Sequence, residues 1–159
     1  DAGVIGGALE FTEKSVSEIM VPREQVQTLT LGCTPAELEH AVARTGYSRF
    51  IVTDPEGSYM GYLHLKDALA VPPAREHIPF GWRQVRSMSV VAPETDIDDA
   101  LAIMQGNNSH LAHVVGSNGR SLGVVFMEDV LEELVGEIKD TTQDRVRRLQ
   151  AASRASNDK

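Results

Sequence analysis

The feature that most constrains this chain is an internal repeat. Its first half contains Thr45-Gly46-Tyr47-Ser48-Arg49-Phe50-Ile51-Val52-Thr53, a turn at Asp54-Pro55-Glu56-Gly57, and then Gly61-Tyr62-Leu63-His64-Leu65-Lys66-Asp67. Its second half contains Gly106-Asn107-Asn108-Ser109-His110-Leu111-Ala112-His113-Val114-Val115, a turn at Gly116-Ser117-Asn118-Gly119, and then Gly123-Val124-Val125-Phe126-Met127-Glu128-Asp129. Gly46 matches Gly106 at an offset of 60, and Ser48 matches Ser109 at 61. Gly57, Gly61 and Asp67 match Gly119, Gly123 and Asp129 at 62. The drift predicts two one-residue insertions in loops. One unit of about 55–60 residues buries too little surface to stand alone, so two units must share a core.

The periodicities predict the same elements in each unit. Leu38, Ala41 and Val42, and Ala100, Leu101, Ile103 and Met104, recur at helical spacing, with Pro35 and Asp96 at the expected starts and Thr34 and Thr95 as candidate caps. Arg49–Thr53 with Tyr59–His64, and Leu111–Val115 with Leu122–Met127, read as paired strands, and Asp67–Ala70 and Asp129–Glu137 as helices that follow them. Further short strands fall at Gln27–Leu31 and Ser89–Ala92, ahead of each unit. Glu13–Met20 reads as an entering amphipathic helix, and Val71-Pro72-Pro73-Ala74-Arg75-Glu76-His77 as a stiff connection. The reading divides the chain into an entering helix or linker over 1–15, a first repeat over 16–72, a linker over 73–84, a second repeat over 85–138 and a tail over 139–159. Within the tail, Asp144–Gln150 suits a helical extension and Ala151–Lys159 suits disorder.

Composition narrows the function. Hydrophobic residues are 42% and aromatics 5%, so the core is aliphatic. The net charge of −8 hides a split, because the tail from Lys139 carries +3 and the rest −11. An acidic chain is poorly suited to nucleic acid, whose binding runs on Lys and Arg neutralising phosphates. The single Cys33 forbids an internal disulfide or a cysteine-rich zinc site and reads as a small packing residue. No apolar run reaches membrane-spanning length. The chain begins with Asp1, which reads as a cut from a longer protein.

Three phrases carry a resemblance: Val16-Ser17-Glu18-Ile19-Met20-Val21-Pro22-Arg23, Gly46-Tyr47-Ser48-Arg49-Phe50, and Glu128-Asp129-Val130-Leu131-Glu132-Glu133-Leu134-Val135-Gly136-Glu137-Ile138. The chain resembles, over roughly residues 9–140, the tandem cystathionine-beta-synthase (CBS) pair, or Bateman module, of the CorC/hemolysin-C-like membrane proteins related to CNNM magnesium transporters. The resemblance implies an α+β fold of two α-β-β-α repeats packed sheet to sheet as a pseudo-symmetric pair. It also implies a homodimer formed through the pair, an upstream transmembrane domain, a place on the cytoplasmic side of the membrane, and regulation of Mg²⁺ or Co²⁺ transport rather than catalysis. Its implied ligand is an adenine nucleotide, ATP or AMP, with Mg²⁺ accompanying it.

The family motif is Gly, two apolar residues, Thr or Ser, two variable residues and Asp. Asp67 and Asp129 hold its ribose-binding position, while His64 and Phe126 replace the hydroxyl. Phe126 cannot donate to phosphate, whereas His64 can. Tyr47 and Ser48 belong to the implied site, Tyr47 to stack on a base or to cap the core. Arg49 offers a planar fork to phosphate or makes a surface ion pair. Met88, with Val90 and Val91, lines an adenine slot or a core strand. Asp129 serves equally as a helix cap. A ligand-free dimerisation module is the alternative function.

Other constellations yield less. His110 and His113 sit three apart on a strand entry and face opposite sides, which argues against a shared metal. No Gly-x-Ser-x-Gly elbow occurs. Arg145-Val146-Arg147-Arg148 suits anionic lipid or a solvated helix end.

Overall fold

The computed structural model describes residues 14–157. Two small sheets form the frame. Helix α1 (Val16–Ile19) leads into β1 (Val21–Pro22), and β2 (Thr28–Thr30) precedes helix α2 (Pro35–Thr45). Strands β3 (Arg49–Thr53) and β4 (Tyr59–His64) run into helix α3 (Leu65–Leu69). The second unit repeats the order: β5 (Ser89–Val91), α4 (Ile97–Gly106), β6 (Leu111–Val115), β7 (Ser121–Phe126) and α5 (Met127–Asn157). The sheet orders are β2-β3-β4 and β1-β7-β6-β5.

Strand register corrects the repeat alignment. Thr28 pairs with Ile51 and Val90 with His113; Arg49 pairs with His64 and Leu111 with Phe126. Every one of these matches holds at an offset of 62, so no insertion is needed between the units. Gly46, in the left-handed conformation at the end of α2 (φ 78°), is matched by Asn108 (φ 52°) rather than by Gly106. Asn tolerates that conformation better than most side chains, which hid the equivalence from a search by identity. Ser48 is likewise matched by His110: the Ser48 carbonyl accepts from Leu65 N–H, and the His110 carbonyl from Met127 N–H, each at 2.9 Å.

Other expectations shift at the element ends. Thr34 caps α2, accepting from Glu37 N–H at 3.1 Å, while α4 begins after Asp96 rather than at it. Helices α3 and α5 start at Leu65 and Met127, two residues earlier than expected. Asp129 is therefore a third helical residue and not the cap. Of the entering helix, only Val16–Ile19 is helical among the described residues, and Glu13 lies outside them. The helical extension expected at Asp144–Gln150 is present, but it does not stop there: α5 runs unbroken through Gly136 to Asn157, so Ala151–Asn157, expected to be disordered, is helix. Ala, Arg, Gln and Leu in that stretch are strong helix formers.

Each sheet is completed by chain from elsewhere. Strand β1 pairs antiparallel with β7, so residues at the start of the chain finish the second sheet. Arg86, just before β5, forms an antiparallel bridge with Tyr62 of β4, bonded in both directions at 2.9 Å. At both seams the incoming backbone lies over a glycine. A Cβ on Gly123 would strike the Val21 carbonyl, and one on Gly61 the Arg86 carbonyl. That close approach explains why both motif glycines are needed.

Three clusters make the core. Leu38, Ala41, Phe50, Val52 and Leu63 fill the first unit, and Ile97, Ala100, Met104, Val114 and Val125 fill the second. Val16 of α1 joins the second cluster, fully buried. Ile51 and Tyr62 of the first sheet meet Leu111 and Val124 of the second, forming the seam. Burying such side chains contributes about 1.5–3 kcal/mol each. Neither unit can keep its seam face dry without the other.

Candidate functional site: two unequal clefts between the repeats

The pseudo-symmetry brings the strand entry of one unit beside the motif of the other, twice. The larger cleft, about 360 Å³, is lined by Tyr47, Ser48 and Arg49 of the first unit and by Phe126, Glu128 and Asp129 of the second, with Val21 at its edge. The smaller, about 90 Å³, is lined by Tyr62, His64 and Lys66 of the first unit, by His110 of the second and by Arg86 of the segment that leads into β5. Arg49 lines both. Pockets for small ligands usually span about 300–1,000 Å³, so only the larger cleft has room for a nucleoside.

The chemistry of the two clefts differs as much as their size. In the smaller one the motif satisfies itself. Asp67 accepts from His64 N–H at 2.8 Å, and the His64 ring Nδ1 accepts from Lys66 N–H at 2.9 Å. Arg86 then clamps Asp67, Nε to Oδ2 at 3.0 Å and Nη2 to Oδ1 at 2.7 Å. Burial alone pushes the Asp67 carboxyl up, but the Arg86 hydrogen bonds, the His64 amide and the Arg86 charge together outweigh it and hold it below its ordinary value. His64 is pushed down by burial first, then by the charges of Arg49 and Lys66.

In the larger cleft Asp129 makes no ion pair among the described residues. Its carboxyl is pushed up by burial first, then by Glu128 and Glu132. Such a carboxylate gains most from hydroxyl donors that do not add charge. Phe126, with no acceptor, cannot cap α5 as His64 caps α3. Arg49 reaches across the repeats, Nη1 to Glu128 Oε2 at 3.0 Å, and its Nε is buried without a hydrogen-bond partner among the described residues. An unsatisfied buried donor is costly, and an anion in the cleft would satisfy it.

The structure thus gathers Tyr47, Ser48, Arg49, Phe126 and Asp129 around one cleft. His64 lies at the other, with Asp67 behind it on Arg86. Tyr47 is 57% exposed at the rim and does not cap the core. Met88 lines neither cleft; it packs, half-buried, against the seam cluster. Val90 is exposed and Val91 buried. His113 bonds Ser121 Oγ at 2.7 Å and sets its ring at a tilt against that of Tyr59, and it lines neither cleft. Sequence reasoning missed Arg86, because nothing local marks a residue of the connection as the partner of a carboxylate 19 positions earlier. It also missed Glu128 as the partner of Arg49, although the spacing of Glu128 beside Asp129 was a usable signal.

Residues 16–73 and residues 84–136 each match the CBS domain. The chain belongs to the CBS-domain family. Its CBS pair is of the CorC and hemolysin-C type. It is 39% identical over 140 residues to an uncharacterized protein of Mycobacterium tuberculosis, covering 85% of this chain and 40% of that protein. It is 31% identical over 156 residues to the magnesium and cobalt efflux protein CorC of Buchnera aphidicola, covering 94% of this chain and 53% of that protein. The chain therefore spans about half or less of these relatives. Among solved structures, the CBS domain of a bacterial CNNM/CorC family Mg²⁺ transporter in complex with ATP superposes with a TM-score of 0.72 at 28% identity, covering 83% of this chain and 94% of that chain. No helix among the described residues is long and apolar enough to cross a membrane.

Proposed function

We propose that this CBS pair is the regulatory nucleotide sensor of a CorC-type membrane protein, and that an adenine nucleotide binds in the larger cleft. The observation that carries the proposal is the cleft of about 360 Å³ in which both repeats supply side chains and Asp129 has no cation partner among the described residues. The proposed roles follow from the chemistry. Asp129 accepts from the ribose hydroxyls, Tyr47 stacks on the base, and Arg49 turns its free Nε and its fork to phosphate. Ser48 lends its hydroxyl where Phe126 cannot. Glu128 and Asp129 would repel a bare triphosphate, so Mg²⁺ travelling with the nucleotide offsets their charge. That a relative was solved with ATP supports this choice of ligand.

Regulation follows from bridging. A ligand held by both repeats favours the arrangement in which the two are closest, and it shifts an attached domain only through that preference. The proposed attached domain is an upstream membrane domain that moves Mg²⁺ or Co²⁺, with this module on its cytoplasmic side. The module acts by binding and not by catalysis. Titration calorimetry with ATP plus Mg²⁺, ADP and AMP tests the reading: saturable heat lost in Asp129→Asn but kept in Asp67→Asn is expected. No heat and no melting shift at millimolar nucleotide would overturn it.

Phe126 favours a second reading, since the motif hydroxyl is missing there. On that reading the pair is a ligand-free module that holds two membrane domains together. Nucleotide binding that appears only in Phe126→Thr would select it.

A further inference from the structure

The smaller cleft is lined by donors and by no carboxylate. In a chain of net charge −8, Arg49, Lys66 and Arg86 converge on it together with the rings of His64 and His110. The carboxylates bonded to these residues are each taken by one arginine: Asp67 is clamped by Arg86, and Glu128 is paired with Arg49. Lys66 makes no ion pair among the described residues.

Three of the donors have no acceptor among the described residues. Tyr62 is 2% exposed, and its hydroxyl accepts from His110 N–H at 3.3 Å, which leaves its own proton to donate. The His64 ring Nδ1 accepts from Lys66 N–H, so in the neutral ring Nε2 carries the proton. The Lys66 amine is the third. Donors without acceptors around one small space favour an anion there, and charged ones do so most strongly. The space limits its size. About 10–15 Å³ admits one water, so about 90 Å³ admits an ion several waters in size and not a nucleoside.

We propose that the smaller cleft binds one tetrahedral oxyanion, inorganic phosphate or sulfate, held by the Tyr62 hydroxyl, the His64 ring and the Lys66 amine, with His110 of the second repeat lining its other side. The ion ties the two repeats at a second point. Its binding is independent of a nucleotide in the larger cleft.

Titration calorimetry and melting of the nucleotide-free chain in inorganic phosphate test it, against chloride at equal ionic strength. One saturable site is expected, with a melting temperature that rises in phosphate and not in chloride. Lys66→Gln should weaken phosphate about tenfold, the effect of one lost charge-assisted bond. The Lys66 side chain is exposed, so the variant should fold. Tyr62→Phe, which removes only a hydroxyl, should weaken phosphate as well. Lys139→Gln, an equal change of charge outside both clefts, should leave phosphate affinity unchanged. Four results would overturn the proposal: the same behaviour in phosphate and chloride, phosphate affinity untouched by Lys66→Gln, equal weakening by Lys66→Gln and Lys139→Gln, or an effect of Lys66→Gln on ATP with none on phosphate. The last would make the cleft an arm of the nucleotide site.

Discussion

Arg86 grips Asp67 with two parallel hydrogen bonds, at 2.7 and 3.0 Å, so the first copy of the repeated motif aspartate is already occupied by the protein's own side chain. Its sequence counterpart Asp129 has no such partner among the described residues. The same motif therefore does two jobs. In the first repeat it fastens the connecting segment to the sheet, and in the second it faces an open cleft.

Arg86→Ala should destabilise the fold by about 1 kcal/mol in urea unfolding at neutral pH, since the pair is half exposed. The folded Asp67 carboxyl titrates below its unfolded value. The stabilisation is thus full above the unfolded carboxyl range, about pH 4, and is lost as pH falls through the lower folded value. The parent and Arg86→Ala stabilities should converge in acid; a constant gap down to pH 2 would contradict the assignment.

Asp129→Asn should make the chain more stable near neutral pH while removing nucleotide affinity. The Asp129 carboxyl is pushed up in the folded state, so its ionised form carries a penalty above the folded value that disappears below the unfolded one. Paired melting curves and calorimetry would show opposite signs for stability and binding. Loss of both together would mean that Asp129 supports the helix rather than a ligand.

His64→Thr should flatten the pH dependence of stability on the acid side of neutrality. The folded His64 titrates below its unfolded value, near 6.5. Its contribution is therefore full above that value and lost as pH falls through the folded one, when the ring can no longer accept from Lys66 N–H. Threonine keeps a cap without titrating. His113, also pushed down by burial, should leave a residual slope of the same sign, which His113→Gln would remove.

Gly123→Ala should cost about 1–3 kcal/mol, because its methyl group must displace the Val21 backbone and loosen β1 from the second sheet. Gly106→Ala is the control. Nothing lies near its Cβ position at the end of α4, so it should be neutral or stabilising by up to about 1 kcal/mol. Chemical unfolding of the two variants side by side checks the difference.

Much of the fold was legible because it is written in local patterns. Leu38, Ala41 and Phe50 fall where a helix face and a strand interior demand them, and the structure buries all three. Thr34-Pro35 announced a helix start that the capping bond confirms. The repeat was visible through Gly61 and Gly123, whose lack of a side chain is itself a structural requirement. The true match of Gly46 to Asn108 was not visible, since two different residue types meet the same backbone demand.

By itself, the sequence determined two aliphatic α-β-β-α units that need each other, the motif positions at Asp67 and Asp129, and a charge divided between body and tail. The tertiary structure alone decided that β1 closes the second sheet, that Arg86 closes the first, and that the two clefts are unequal in size and chemistry. The reason is range. Periodicity and capping are set within a few residues of chain. The choice between a clamped aspartate and an open one depends on Arg86 crossing over from a connecting segment, which no local pattern encodes.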